Sequence, residues 1–375
     1  MKLQAFKNKI TYIGIYFLFV LSKIFVKDRD IWLVACSGER WGDNAAAFLR
    51  YMNDHHPEKE VFAVVKNKTI AEDKRIDYVE RNRLSTLLLI MQAKVFAFTH
   101  TLSDIGPYQV FSFSNAQKIW LQHGVIAIGK ITASKARLDQ YDMICASSKK
   151  EERLMVSELG IKPEVIKITG LARHDYLRER VQSQLLREGI LFIPTQRNWI
   201  GQFQETIYEN LILSWVNSHK LSDIKNYARL KIWLHPGWHR QGMEGMGQRF
   251  EEVEYYGLDY DPQALISESK VLVTDYSSIY FDAAISGIPT VFYQPDREEY
   301  IARKGIFKDF LTQDLLLVVD NKHELIDHLN KLMTDDEYYR KRVKADQSWA
   351  YQYVETFDGN CCDRIYEEIL RLLAE

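Results

Sequence analysis

Beyond residue 30 the chain alternates short apolar runs, rich in β-branched and aromatic residues, with longer stretches whose apolar positions recur every three to four residues. In the first half the runs are IWLVAC (31–36), EVFAVV (60–65), RIDYVE (75–80), KVFAFTHT (94–101), KIWLQH (118–123), MICAS (143–147) and VIKIT (165–169). GILFIPT, LKIWLHP, KVLVTD, PTVFYQ and LLLVVD repeat the pattern in the second half, with helical stretches such as NAAAFLRYMND between runs. Runs that are apolar throughout predict strands buried on both faces, and strands alternating with helices predict parallel sheets. The expected architecture is α/β, with an N-terminal Rossmann-like domain over residues 31–184 and a second over 185–375. The charged, helix-prone DYLRERVQSQLLREG links them. The last helix is a candidate for packing back on the first domain.

One stretch is chemically distinctive. In TDYSSIYFDAAISGIPTVFY (274–293) the pattern predicts strand, tight turn, short helix, stop at Gly287-Pro289 and next strand. The turn carries Asp275, Ser277 and Ser278. Helix capping accounts for one such group. An anion site, where exposed N–H groups and hydroxyls converge beyond a strand's carboxyl end, accounts for all three. This stretch alone leaves both readings open.

A length of 375 residues suits two domains, and 46% hydrophobic with 27% charged residues is globular. A net charge of −2 argues against a general nucleic-acid binder. The four cysteines show neither zinc spacing nor a disulfide framework, which points to a reducing compartment. No G-x-G-x-x-G or Walker A sequence opens either domain, which excludes the usual nicotinamide, flavin and P-loop classes.

Residues 1–30 differ from the rest. ITYIGIYFLFVLS (10–22) is uncharged, and six basic residues around it against Asp28 and Asp30 leave this segment at +4. Thirteen residues fall short of the ~20 that span a bilayer as a helix. The segment suits an apolar helix lying in an anionic membrane surface, or a helix buried against the domain.

In open α/β sheets ligands bind beyond the carboxyl ends of strands. Here those positions hold His123-Gly124, Arg173, Arg197 in TQRNW, His235-Pro236-Gly237 and the Thr-Asp-Tyr-Ser-Ser turn. Two imidazoles, two guanidinium groups and a serine pair suit a substrate with two phosphates and a transferred hydroxyl proton. His100 and His174 read as hydrogen-bonded structural residues. The D-x-D patterns at 28–30 and 259–261 are too short to designate a metal site, and neither a metal nor another cofactor is required by these groups.

WLQHGVIAIGK, TGLARHDYL, IPTQRNW, LHPG and VLVTDYSSIYFDAAISGIPTVFY together resemble the CDP-glycerol glycerophosphotransferases that build teichoic acids and related polyol-phosphate polymers. The resemblance runs from about residue 30 to the C-terminus. It implies a GT-B-like enzyme with the donor, CDP-glycerol or CDP-ribitol, in the C-terminal domain and the active site in the cleft. A hydroxyl of a lipid-linked or polymeric acceptor attacks the β-phosphorus and CMP leaves. On this resemblance His123 accepts the hydroxyl proton, while His235, Arg173 and Arg197 neutralise phosphate charge. Ser277 and Ser278 hold the diphosphate, Asp275 orients their turn and Asp282 reaches the cytidine or ribose. Gly124, Thr195, Gln196, Pro236 and Gly237 complete the donor site. The implied location is peripheral, on the cytoplasmic face of the membrane against an anionic surface.

The chain departs from the family pattern at several places. Gln122 stands where the family often has Trp, Val125-Ile126 replaces Thr-Pro, and Ala172 and His174 stand for Pro and Asn. Gln196 stands for Trp in the Thr-Trp-Arg motif. These bear on the acceptor and the polyol. The absence of the extra N-terminal region of longer polymerising relatives favours a primase-like, single-addition enzyme. The rival expectations are a nucleotide-sugar glycosyltransferase of the same architecture and a non-catalytic scaffold on a lipid surface.

Overall fold

The computed structural model describes residues 29–36, 41–66, 76–130, 135–184, 186–197, 199, 229–234, 253–257, 260–312 and 314–375. The first sheet is built from β1 (Ile31–Ala35), β2 (Glu60–Val65), β3 (Tyr78–Glu80), β4 (Val95–Phe98), β5 (Gln117–Trp120), β6 (Met143–Ala146) and β7 (Ile166–Ile168). Their order is β3-β2-β1-β4-β5-β6-β7, with every pair parallel. The second sheet uses β8 (Ile190–Phe192), β9 (Leu230–Trp233), β10 (Val253–Tyr256), β11 (Val271–Thr274), β12 (Thr290–Tyr293) and β13 (Val318–Val319). It runs β10-β9-β8-β11-β12-β13, again parallel throughout. Both sheets reverse their winding at the first strand, so each has its crevice beyond the carboxyl ends at that reversal.

Each sheet is covered on both faces, as its continuous apolar strands require. One face of the first sheet packs Leu33, Phe96, Phe98 and Ile144, and the other packs Trp32, Val34, Ile119 and Cys145. The helix Asp43–His55 covers the second face with Ala45, Phe48, Leu49 and Met52, a 3-4 spacing that puts all four on one stripe. Full burial of a side chain of this size contributes about 1.5–3 kcal/mol. The edge strand β10 does not appear among the runs read from sequence. Its VEYY carries Glu254 and is only partly buried, so it lacks the apolar run that marks a central strand.

The two domains are joined by more than the linker. Val125, Ala127, Ile128, Leu171 and Leu177 share one apolar core with Tyr276, Tyr280, Phe281 and Trp349 of the second domain. Backbone bonds reinforce this seam, with Phe307 N–H donating to the Ile128 carbonyl at 2.9 Å and Lys130 N–H to the Gly305 carbonyl at 3.2 Å. After the helix Asp336–Ala350 the chain crosses back. Asp175 caps the helix Cys361–Ala374 by accepting from the N–H groups of Cys361 and Cys362 at 2.9 and 2.7 Å. That helix buries Cys362, Ile365 and Ile369 against the first sheet's core.

Residues 1–28, including the apolar run 10–22, lie outside the described residues. So do His235, Pro236 and Gly237, which follow β9, and Leu185 at the expected domain boundary.

Candidate active site

His123 stands at the carboxyl end of β5, where the chain turns sharply: Gln122 before it has φ 63°, the left-handed region a side chain rarely adopts. Three groups hold that turn. Asn44 Nδ2 donates to the Gln122 carbonyl at 2.8 Å. The buried Gln122 amide donates to the Cys145 carbonyl, and lies 3.4 Å from Glu151 Oε1. Glu151 itself accepts from Ile126 N–H at 2.7 Å and Ser147 N–H at 2.6 Å. Burial pushes the Glu151 carboxyl up to about 7, against the pull of those donors. The loop is thus fixed on its inner side while the His123 ring, 57% exposed, faces outward.

The Nδ1 of His123 is hydrogen-bonded to Asp43 Oδ2. Asp43 opens the helix Asp43–His55 with φ 62°, a strained position beyond the end of β1, at the reversal of the first sheet. Burial alone would raise its carboxyl, but the charges of His123 and Arg173 and the hydrogen bond from His123 outweigh this and hold it well below the usual carboxylate range. An ionised carboxylate only accepts, so Nδ1 carries a proton, and Nε2 is the nitrogen that bears the lone pair in the neutral ring. This is the arrangement of an oriented general base.

Arg173 ties the dyad to the second domain. Its Nη1 donates to Asp43 Oδ1 at 2.7 Å and to the His123 carbonyl, while Nε and Nη2 meet Asp282 at 3.0–3.3 Å. His174 Nε2 adds a bond to Asp282 at 3.1 Å, and Gln263 Nε2 another at 3.3 Å. Asp282 is fully buried, which would raise its carboxyl; the Arg173 charge and His174 bond more than offset this. Arg173 therefore bridges two carboxylates across the domain seam, and Asp282 sits inside that seam. Both side chains, expected at the phosphates and at the cytidine or ribose, are buried and bonded to one another in this structure.

Arg197 is placed in the same manner in the second domain. Fully buried, it donates from Nε to Asp296 Oδ2 at 2.7 Å, from Nη1 to the Thr195 carbonyl at 2.6 Å, and pairs with Asp275 at 2.9 Å. Asp275 accepts from the Thr195 N–H and hydroxyl at 3.0 and 2.6 Å and from Tyr276 N–H at 2.6 Å. These bonds join the turn after β8 to the turn after β11, the two strands flanking the second sheet's reversal. Asp275 and the buried Arg197 are thus bonded to each other and to the same turn. Thr195, Gln196, Ser277 and Ser278 remain half-exposed.

The two sides meet at Gly124. A β-carbon there would lie 2.3 Å from Ser278 Oγ, so the residue after His123 touches the serine turn directly. Beside this contact opens a cavity of about 380 Å³ whose walls include His100, His123, Val125, Ile126, Arg137 and Tyr141, with Tyr276 and Ser278 on the donor side. His100, read as structural, stacks obliquely on His123 with ring centroids 4.2 Å apart. His174 does have a structural setting, fully buried behind Asp282.

Of the D-x-D patterns only Asp30 and Asp261 are among the described residues, Asp28 and Asp259 lying outside them. Asp30 accepts from Trp32 Nε1 at 2.9 Å and from Lys59 at 2.5 Å, and Asp261 caps the helix Pro262–Glu268. Sequence reasoning passed over Asp43, Asn44 and Glu151. The strand-end rule could have found the first two, since WGDN follows β1 at the reversal of the sheet; nothing local marks Glu151, which looks like one acidic residue in a charged helix.

Comparison with known proteins agrees with this fold. The wall teichoic acid polymerase TagF superposes over its full matched chain with TM-score 0.76 for one variant, at 16% identity and 100% of both chains. A UDP complex of the Staphylococcus aureus protein MnaA follows at TM-score 0.57, 16% identity, covering 92% of this chain and 97% of that one. In sequence, the Bacillus subtilis minor teichoic acid biosynthesis protein GgaB is 24% identical over 92% of this chain and 40% of its own length. A teichoic acid poly(glycerol phosphate) polymerase of the same organism is 22% identical over 89% of this chain and 48% of its own. The chain thus spans less than half of these two relatives. The Staphylococcus aureus teichoic acid glycerol-phosphate transferase is 21% identical over 96% of this chain and 97% of its own length. The family model described as CDP-glycerol:poly(glycerophosphate) glycerophosphotransferase matches residues 15–371, and the chain belongs to that family.

Proposed function

We propose that the chain transfers a polyol phosphate, glycerol phosphate first, from a CDP-polyol to a hydroxyl of a lipid-linked or polymeric acceptor, in the synthesis of a teichoic-acid-type polymer. The observation that carries this reading is the Asp43–His123 dyad, open to the cleft where the two Rossmann-like domains meet. The acceptor oxygen attacks the β-phosphorus, its proton passes to His123 Nε2, the phosphorus–oxygen bond to the α-phosphate breaks, and CMP departs. A positioned base contributes about 10²–10⁴ in rate. Half-exposed Thr195, Gln196, Ser277 and Ser278 supply the donor wall, together with His235, Pro236 and Gly237. Arg173, Arg197, Asp275 and Asp282 act as positioning residues behind it. TagF structures described as CDPG soaks share this fold. The basic, apolar segment 1–30 supports a peripheral position on the cytoplasmic face of the membrane, and sedimentation with anionic vesicles that fails after its deletion tests this.

Incubation with labelled CDP-glycerol, CDP-ribitol and UDP-sugars tests the reaction. CMP release with phosphodiester formation is expected; UDP release would establish a glycosyltransferase instead. His123→Ala is expected to abolish turnover while leaving CDP-glycerol affinity within about threefold, because the base belongs to the first domain. Loss of donor affinity with turnover retained at saturation would overturn that role.

A further inference from the structure

The cavity beside His123 has a one-sided chemistry. His100, His123, Lys130 and Arg137 are among its lining residues and no lining residue is acidic, the carboxylates that meet His123 and Lys130, Asp43 and Glu158, not being among them. Arg137 is held within it by neutral oxygens: Nη2 donates to the His100 carbonyl at 2.9 Å and Nε to Tyr141 Oη at 3.3 Å. Among the described residues no carboxylate forms an ion pair with it, unlike Arg173 and Arg197. The rest of the wall is uncharged: Val125, Ile126, Leu138 and Trp120 are apolar, and Thr99, Thr101 and Gln122 add neutral polar groups. A guanidinium fixed by carbonyl and phenol oxygens in a low-dielectric recess keeps its charge and its free N–H donors for an incoming anion, and its planar fork suits phosphate oxygens.

The position of this cation relative to the base is also set. His100 links the two, its carbonyl accepting from Arg137 and its ring lying 4.2 Å from that of His123. Tyr276 and Ser278 of the donor side close the opposite wall. An acceptor whose hydroxyl reaches His123 Nε2 from this cavity therefore carries its next group toward Arg137, away from the donor. We propose that the cavity is the acceptor subsite and that Arg137, with Lys130 at the rim, binds a phosphodiester of the acceptor next to the attacking polyol. A poly(glycerophosphate) chain end, the acceptor that the family's description names, thereby meets this chain through Arg137. This rests on the transferase reading above.

The test uses the full chain and two probes of similar length, glycerophosphoglycerol, in which a phosphodiester joins two glycerols, and the neutral diglycerol. Binding is followed by ligand-observed NMR, and transfer from CDP-glycerol is measured for both. Arg137→Gln should weaken glycerophosphoglycerol binding and raise its KM at least tenfold. Diglycerol and the CDP-glycerol dissociation constant should change less than twofold. Arg137→Lys, which retains the charge, should recover part of the loss. An equal loss on both probes would make Arg137 a structural residue, and no loss, or no binding of glycerophosphoglycerol by the unsubstituted chain, would remove the subsite. Because binding is read without turnover, a chain that holds the phosphodiester through Arg137 yet fails to use CDP-glycerol would refute the proposed reaction and leave the subsite standing.

Discussion

Gly124 and Ser278 come from different domains, yet a β-carbon on the first would lie 2.3 Å from the hydroxyl oxygen of the second and 3.3 Å from its β-carbon. The residue that follows the base thus rests on the turn proposed to hold the donor. Gly124→Ala must push the domains apart or rotate Ser278, and overpacking of this kind costs about 1–3 kcal/mol. Ser278→Ala removes the nearer of the two clashing atoms. A double-mutant cycle on thermal stability should show positive coupling, with the pair more stable than the sum of its single losses. Additive losses would mean that the two residues do not press on each other.

Asp43 tests the dyad. Asp43→Asn keeps the size but removes the anion that fixes the His123 tautomer, and the amide can donate toward Nδ1 and turn Nε2 into the protonated nitrogen. The turnover rate should fall by about 10²–10⁴, as for a base that has lost its orienting carboxylate, with CDP-glycerol affinity little changed. A fall in donor affinity with turnover unchanged at saturation would place Asp43 on the substrate instead.

Arg173 is flanked by two carboxylates, so replacing it strands them. Arg173→Met leaves Asp282 buried without its main counter-charge, and breaking a buried pair from one side costs about 3–5 kcal/mol. Denaturant unfolding should show that loss, and the variant should also lose turnover because Asp43 is released. If stability is unchanged, Arg173 is a ligand-facing charge after all.

Glu151 makes stability depend on pH in a stated direction. Its folded value, about 7, lies above the ordinary carboxyl value, so its contribution is complete below about pH 4.5 and is lost as pH rises toward 7. Asp346 of the second domain, raised by burial to about 6 against the pull of Arg342, acts in the same sense. Melting temperatures of the wild type and Glu151→Gln measured from pH 5 to 8 should therefore converge with rising pH, the wild type losing more. Parallel curves would show that Glu151 is ionised throughout.

Read alone, the sequence determined the layered α/β architecture, because continuous apolar runs alternating with amphipathic stretches leave few other ways to bury both faces of a strand. It also placed His123, Thr195–Arg197 and Asp275–Ser278 at strand ends, beyond which ligands bind in such sheets. What it left undecided was which polar groups face the cleft and which face one another. Arg173, Arg197 and Asp282 have the residue types of ligand-binding groups, and only folding shows that partners of opposite charge 78 to 130 positions away are already bonded to them. Asp43, 80 positions before His123, becomes its partner only when β1 and β5 are brought into one sheet on either side of β4. Periodicity is local and survives in the sequence; ion pairing depends on distances that the tertiary structure alone creates.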